Sequence, residues 1–189
     1  MISVDDYTLE NYKIADIAKK YGMEKDFIFF LNINDNNGRH KGVEEMARKL
    51  SSEGFIIGSH TVNHKSLTEI SVFEAKNEIE ESKSLIKEWT GKCEWISYPY
   101  GQYNDEVIEM VKSAGYKYAR TTHTLGLNSP YEIPAMHIGR TKGDEYGGQD
   151  SFEMALRTNI KHFYLHYYDL VKSESIEQFD NFIYEKSRN

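Results

Sequence analysis

The stretch that decides the fold is GFIIGSHTVNH, residues 54–64. Its first half is an apolar run of strand length, opened by a glycine and rich in β-branched residues. Its second half is polar and carries two imidazoles, His60 and His64, four positions apart. A buried strand that runs directly into a histidine-bearing segment fits an α/β sheet, in which chemistry collects where the strands end. The intervening Thr61-Val62-Asn63 contains two β-branched residues and an asparagine, a poor helix. A loop or the first turn of a helix is therefore expected there.

The pattern continues outward on both sides. Before the strand, GVEEMARKLSSEG (42–54) has helical spacing and ends at Gly54. After it, SVFEAKNEIEESKSLIKEWTG (71–91) is a long amphipathic helix, with Ser71 placed as N-cap and Glu74 three residues on. Further out, ISV reads as a strand end, residues 9–22 as a helix closed by Gly22, and DFIFFLN (26–32) as a buried strand. NINDNNGRHK (32–41) reads as a polar loop, CEWISYPYG (93–101) as a strand and turn, and NDEVIEMVKSAG (104–115) as a helix. YKYART (116–121) is a strand, SFEMALRTNI (151–160) a helix, HFYLHYY (162–168) a strand and SIEQFDNFIYEK (175–186) a last helix. Strand and helix alternate throughout, and the strands are apolar on both faces. That argues an α/β fold with a parallel sheet, barrel or doubly wound. No repeat or linker interrupts residues 1–189, so a single domain is expected.

Composition narrows the function. Of 189 residues, 39% are hydrophobic and 28% charged, and the net charge is −7 without a basic block. This argues against nucleic acid or an anionic membrane as partner. Cys93 is the single cysteine, which rules out an internal disulfide or a cysteine-rich zinc site. No apolar run approaches the ~20 residues that span a bilayer. MISVDDYTLE lacks the basic and apolar regions of a signal peptide. The expected location is cytoplasmic as the sequence is written, or exported if a leader precedes Met1.

The polar residues that follow the strands are Asp5 and Asp6, His60 and His64, Tyr98-Pro99-Tyr100, Arg120, and His166. Each has an ordinary structural reading. Paired aspartates cap helices and turns, and single histidines pack in cores. Together they suggest a metal site, for which two histidines need a third ligand, usually a carboxylate. Either aspartate can supply it. The other is then free to take a proton, and a nearby cation keeps both ionised. His40, His123, His137 and His162 follow no comparable pattern, and His137 is an outside candidate for the cleft. Two histidines and a carboxylate also describe non-haem iron oxygenases. Those favour antiparallel scaffolds, and the second aspartate is surplus to them.

In order, SVDDY, SHTVNH, SYPYG and YLH resemble the motifs of the polysaccharide deacetylase family, the NodB-homology or family 4 carbohydrate esterases. The resemblance runs from about residue 3 to residue 170. It implies a distorted (β/α)7 barrel and a metal-dependent hydrolase that removes N-acetyl groups from an amino sugar or glycan. It implies Asp6, His60 and His64 as ligands of one divalent metal, zinc with cobalt or nickel as alternatives. By the same resemblance Asp5 is the general base, His166 the general acid, and the backbone N–H of Tyr100 an oxyanion donor. The chain departs from the pattern in three places. Ser97 stands where many members carry an arginine that holds the base, and Arg120 is the expected substitute. The tryptophan that walls the acid histidine is missing, leaving Tyr116, Tyr118, Tyr164, Tyr167 or Tyr168 for that place. Tyr7 replaces a common glycine. These departures suggest a small acetylated sugar or glycan precursor as substrate. The missing arginine and the compact length also keep open an inactive, carbohydrate-binding member of the same fold.

Overall fold

The structure is a computed structural model, and it describes residues 1–35, 38–124, 129–139, 151–170 and 173–188. Nine strands occur among them: β1 Ile2–Asp5, β2 Phe27–Leu31, β3 Asn34–Asp35, β4 Gly38–Arg39, β5 Ile56–Ser59, β6 Trp95–Ser97, β7 Tyr118–Arg120, β8 Met136–His137 and β9 Phe163–His166. The helices are α1 Asn11–Lys20, α2 Val43–Ser52, α3 Val72–Thr90, α4 Asp105–Ser113, α5 Ser151–Arg157 and α6 Ser173–Ser187. Seven strands form one sheet in the order β7-β6-β5-β2-β1-β9-β8, and each neighbouring pair is parallel. Helices connect them on the outside, as parallel pairing requires.

The apolar runs explain the strands. All five residues of β2 are buried, as are all four of β1, because each strand has a neighbour on both sides and helices outside. Helix α3 begins at the expected cap, where Ser71 Oγ accepts from the Glu74 N–H at 3.2 Å, and it ends at Gly91 in the left-handed region. The segment 32–41 differs from the loop expected. It carries a small antiparallel pair, Asn34 opposite Arg39 and Asp35 opposite Gly38. Strands of two residues leave no periodicity to read.

The sheet curls on itself. In a flat sheet β1 and β7 would lie roughly 19 Å apart, four strand spacings. Here the Arg120 guanidinium at the end of β7 hydrogen-bonds the Asp5 carboxylate at the end of β1. The chain after Ser129 helps close the ring. Ile133 bridges Arg120 of β7, and further on Met136 and Ile138 donate to the carbonyls of His162, just before β9, and Tyr164, within it. This is the curled parallel half-barrel with outer helices expected of a (β/α)7 fold. No helix among the described residues is long and apolar enough to cross a membrane.

Candidate metal and catalytic centre

Strand register sets the floor of the site. Asp5 lies level with His166 on one side and Phe30 on the other, and Ser97 lies level with Arg120. All the polar residues that end these strands therefore face one end of the barrel. Among the described residues, four non-glycine residues have positive φ: Asp6 (67°), Thr61 (66°), His64 (54°) and Tyr100 (58°). Three of the four are candidate site residues and the fourth separates the two histidines. Such conformations cost of order 1–3 kcal/mol each and persist where surroundings impose them, often at functional sites. For Asp6 the constraint comes from Asn11, whose side-chain amide donates to the Asp6 carbonyl at 2.8 Å.

Asp6, His60 and His64 come together. Their ligand atoms all lie within 4.8 Å of one another. His60 Nε2 and His64 Nε2 are 3.1 Å apart, and Asp6 Oδ1 is 3.8 and 3.7 Å from them. Donors at ~2.05 Å from a tetrahedral ion stand about 3.3 Å from each other, so the triangle fits a small divalent cation. The tautomer fits as well. His60 Nδ1 lies 2.9 Å from the Ser97 carbonyl, which can only accept, so Nδ1 carries the hydrogen. Burial lowers the His60 pKa to about 4 against the pull of Asp5 and Asp6, leaving a neutral ring whose Nε2 lone pair points into the triangle. Two imidazoles and one carboxylate suit zinc, cobalt or nickel.

Asp5 stands beside the triangle, with Oδ2 3.8 Å from His60 Nε2. Burial pushes its carboxyl up, but the Arg120 guanidinium, with His60 and His166, outweighs this and holds its pKa below the ordinary value. Arg120 is fully buried, and the same nitrogen that serves Asp5 also donates to Ser97 Oγ. The arginine absent from position 97 is thus supplied by the neighbouring strand, and the serine left there becomes its acceptor. Asp5 Oδ1 is buried without a hydrogen-bond partner among the described residues. It is the oxygen with capacity for a proton.

His166 Nε2 lies 3.9 Å from Asp6 Oδ2 on the opposite side. Burial lowers its pKa, and the Asp169 carboxylate, Asp5 and Asp6 more than restore it, so the net shift is upward. Asp169 Oδ2 accepts from the His166 backbone N–H at 2.8 Å and lies 3.2 Å from Nδ1 of the same ring. His137 Nε2 reaches that oxygen at 2.9 Å, which brings the outside candidate to the edge of the site. Asp169 was not among the residues expected from the sequence, although an acid three places after a strand-ending histidine is a readable signal. Replacing Asp169 with Asn removes the main upward pull on the His166 ring. If protonated His166 donates in the reaction, the alkaline limb of a pH–rate profile is expected to move to lower pH. A limb that stays in place in D169N would show that the two are not coupled.

The tyrosines divide. Tyr168 stacks on His166 with centroids 4.6 Å apart and planes at 16°, and Tyr164 packs against both His137 and His166. Tyr167 receives a hydrogen bond from Lys13. Tyr116 and Tyr118 are corrections to the expected wall. Tyr116 is buried and donates to the Ile79 carbonyl, and Tyr118 stacks on Trp95 at the entry end of β6. Tyr116 precedes β7 and Tyr118 opens it, whereas Arg120, at its carboxyl end, is the residue that reaches the site.

Tyr100 sits in the Pro99–Gly101 turn, its ring against His64 at 4.8 Å. Its N–H makes no hydrogen bond among the described residues. Gly101 is required in this turn. Its φ is +70°, and a Cβ there would come within 2.0 Å of Thr122 Oγ1. An open cleft of about 850 Å³ runs beside these residues, lined by Asn63, His64, Ser66, Glu69, Tyr100 and Gln102 among others.

Residues 1–119 match the family model described as polysaccharide deacetylase. The chain belongs to the polysaccharide deacetylase family. The membership indicated by the ordered motifs is thereby shown. Among its relatives, the Bacillus subtilis protein YxkH is 30% identical over 139 residues, covering 72% of this chain and 49% of that protein. A peptidoglycan-N-acetylglucosamine deacetylase of Bacillus cereus is 26% identical over 105 residues, covering 56% of this chain and 46% of that one. The chain thus spans about half the length of these curated relatives. The solved structure of the peptidoglycan deacetylase PdaC from Bacillus subtilis superposes with a TM-score of 0.67 over 99% of this chain and 82% of that one, at 20% identity. That similarity carries the fold, including β9, which lies beyond the matched residues of the family model.

Proposed function

We propose that this polysaccharide deacetylase-family chain is a metal-dependent hydrolase that removes the acetyl group from an N-acetylated amino sugar or glycan. The observation that carries the reading is the Asp6–His60–His64 triangle with a second, buried and arginine-held aspartate beside it. A divalent ion held by those three residues would polarise the acetamide carbonyl and lower the pKa of a water. Asp5 takes a proton from the attacking water through the oxygen that Arg120 leaves free. The Tyr100 N–H is an unspent donor for the negative charge that develops on the carbonyl oxygen. His166, held by Asp169, gives its proton to the departing nitrogen. The C–N bond breaks, and acetate and a free amino sugar leave.

The cleft beside His64 suits a sugar. It offers amide, hydroxyl and carboxylate groups for hydroxyl recognition, and Tyr100, 64% exposed, for stacking. The inactive, carbohydrate-binding alternative drew in part on the missing arginine, and the Arg120–Asp5 pair answers that part. The test is acetate release from a panel of N-acetylated sugars and oligomers, run before and after chelation. Acetate is expected from at least one sugar, lost after chelation and restored by zinc, cobalt or nickel. A protein that binds these ions yet releases no acetate, while still retaining glycan, would favour the inactive alternative.

A further inference from the structure

We propose that Glu78 is a positioning residue that fixes the spacing of the His60 and His64 imidazoles for a divalent cation. This rests on the reading of the triangle as a metal site. Glu78 lies on α3, outside the site, and is only 3% exposed. Its neighbours on the buried face of that helix include Ala75, Ile79 and Ile86. A buried acid in such a stripe is unfavourable unless its oxygens are satisfied. Among the described residues it forms no ion pair. Its partners are instead in the histidine loop. Oε2 accepts from the backbone N–H groups of Val62 (2.9 Å) and Asn63 (2.7 Å), and Oε1 accepts from the Asn63 side-chain amide at 2.5 Å.

These donors lie between the two imidazoles. The loop turns through two left-handed residues, Thr61 and His64, which a free chain avoids. A carboxylate that binds two successive N–H groups between them holds the turn in the form that aims both Nε2 atoms at one point. Ser82, one turn further along α3, extends the brace. Its hydroxyl accepts from Ser59 Oγ at 2.7 Å, and Ser59 Oγ accepts from the Thr61 N–H at 3.0 Å. Helix α3 therefore grips the loop at both ends through polar groups that packing alone does not require.

The test measures zinc affinity by competition with a chromophoric chelator, alongside the melting temperature of the metal-free protein. Glu78→Ala is expected to weaken zinc binding about 10–100-fold, the range for residues that orient metal ligands. Glu78→Gln keeps an acceptor for the backbone groups and is expected to weaken it by about 10-fold, the lower edge of that range. A residue that serves folding only would lower the melting temperature and leave the zinc affinity of the folded protein unchanged, which overturns the proposal. If Glu78→Ala does not fold, an affinity in Glu78→Gln equal to wild type overturns it as well. Wild-type protein that binds no divalent ion defeats the metal reading and this one together. Tight wild-type binding with unaltered variants defeats only this one.

Discussion

Asp5→Asn is expected to cut the rate of acetate release by about 10²–10⁴-fold while the metal content stays at the wild-type level. The amide keeps the shape of the carboxyl and still accepts from Arg120, so the fold and the Asp6–His60–His64 triangle are left in place. What it loses is the capacity of Oδ1 to take a proton. In wild type that oxygen is buried and unpartnered, while its twin is held by the guanidinium. The two measurements separate the aspartates. Loss of rate with metal retained assigns the proton to Asp5, whereas loss of both would make Asp5 a ligand. A rate within tenfold of wild type would remove Asp5 from the chemistry.

Arg120→Met is expected to cost about 3–5 kcal/mol of stability at neutral pH, the range for breaking one side of a buried ion pair. Both side chains are buried, 0% and 4% exposed, so solvent does not screen the loss. The pH dependence follows from the direction of the Asp5 shift. With Arg120 present the carboxyl titrates below its ordinary value, and it stabilises the fold at pH values above that range. Without the guanidinium, burial becomes the ruling influence and the Asp5 pKa rises. The stability gap between variant and wild type is then widest near neutrality and narrows on acidification, as the stranded carboxyl is protonated. The acid limb of the activity profile moves to higher pH for the same reason. Urea denaturation at several pH values reads the first effect. A gap below about 1 kcal/mol, the scale of an exposed pair, would mean the pair contributes as a surface bridge does. The double variant Asp5→Asn with Arg120→Met is expected to recover part of the loss, since the two residues are in contact.

How much of this was readable before the fold is clear from particular residues. The two histidines and the aspartate pair were readable as candidates because they follow strands, and strand ends in a parallel sheet share a face; the choice of Asp6 over Asp5 came only from the family resemblance. Arg120 was readable in part. It ends a strand adjacent to the one carrying Ser97, but only the register shows that the two side chains lie level. Asp169 was missed because an acid in a short segment after a strand has many ordinary uses. Glu78 was missed because α3 was read for its apolar periodicity, and one acid within the buried stripe looks like an irregularity. Tyr116 and Tyr118 were wrongly grouped with the site, because proximity in sequence to a strand end says little about which way an intermediate strand position points.

Taken alone, the sequence determined the alternation of strand and helix, the parallel sheet and the residue types available at its carboxyl edge. Those are consequences of local periodicity and of capping, which act over a few residues. The tertiary structure decided which charges meet. Arg120 and Asp5 are 115 residues apart and touch only because the sheet curls. Glu78 meets the histidine loop only because α3 packs against the strand that precedes it. A curled sheet and a packed helix are set by the sum of many weak contacts over the whole chain, and no short stretch of sequence contains them.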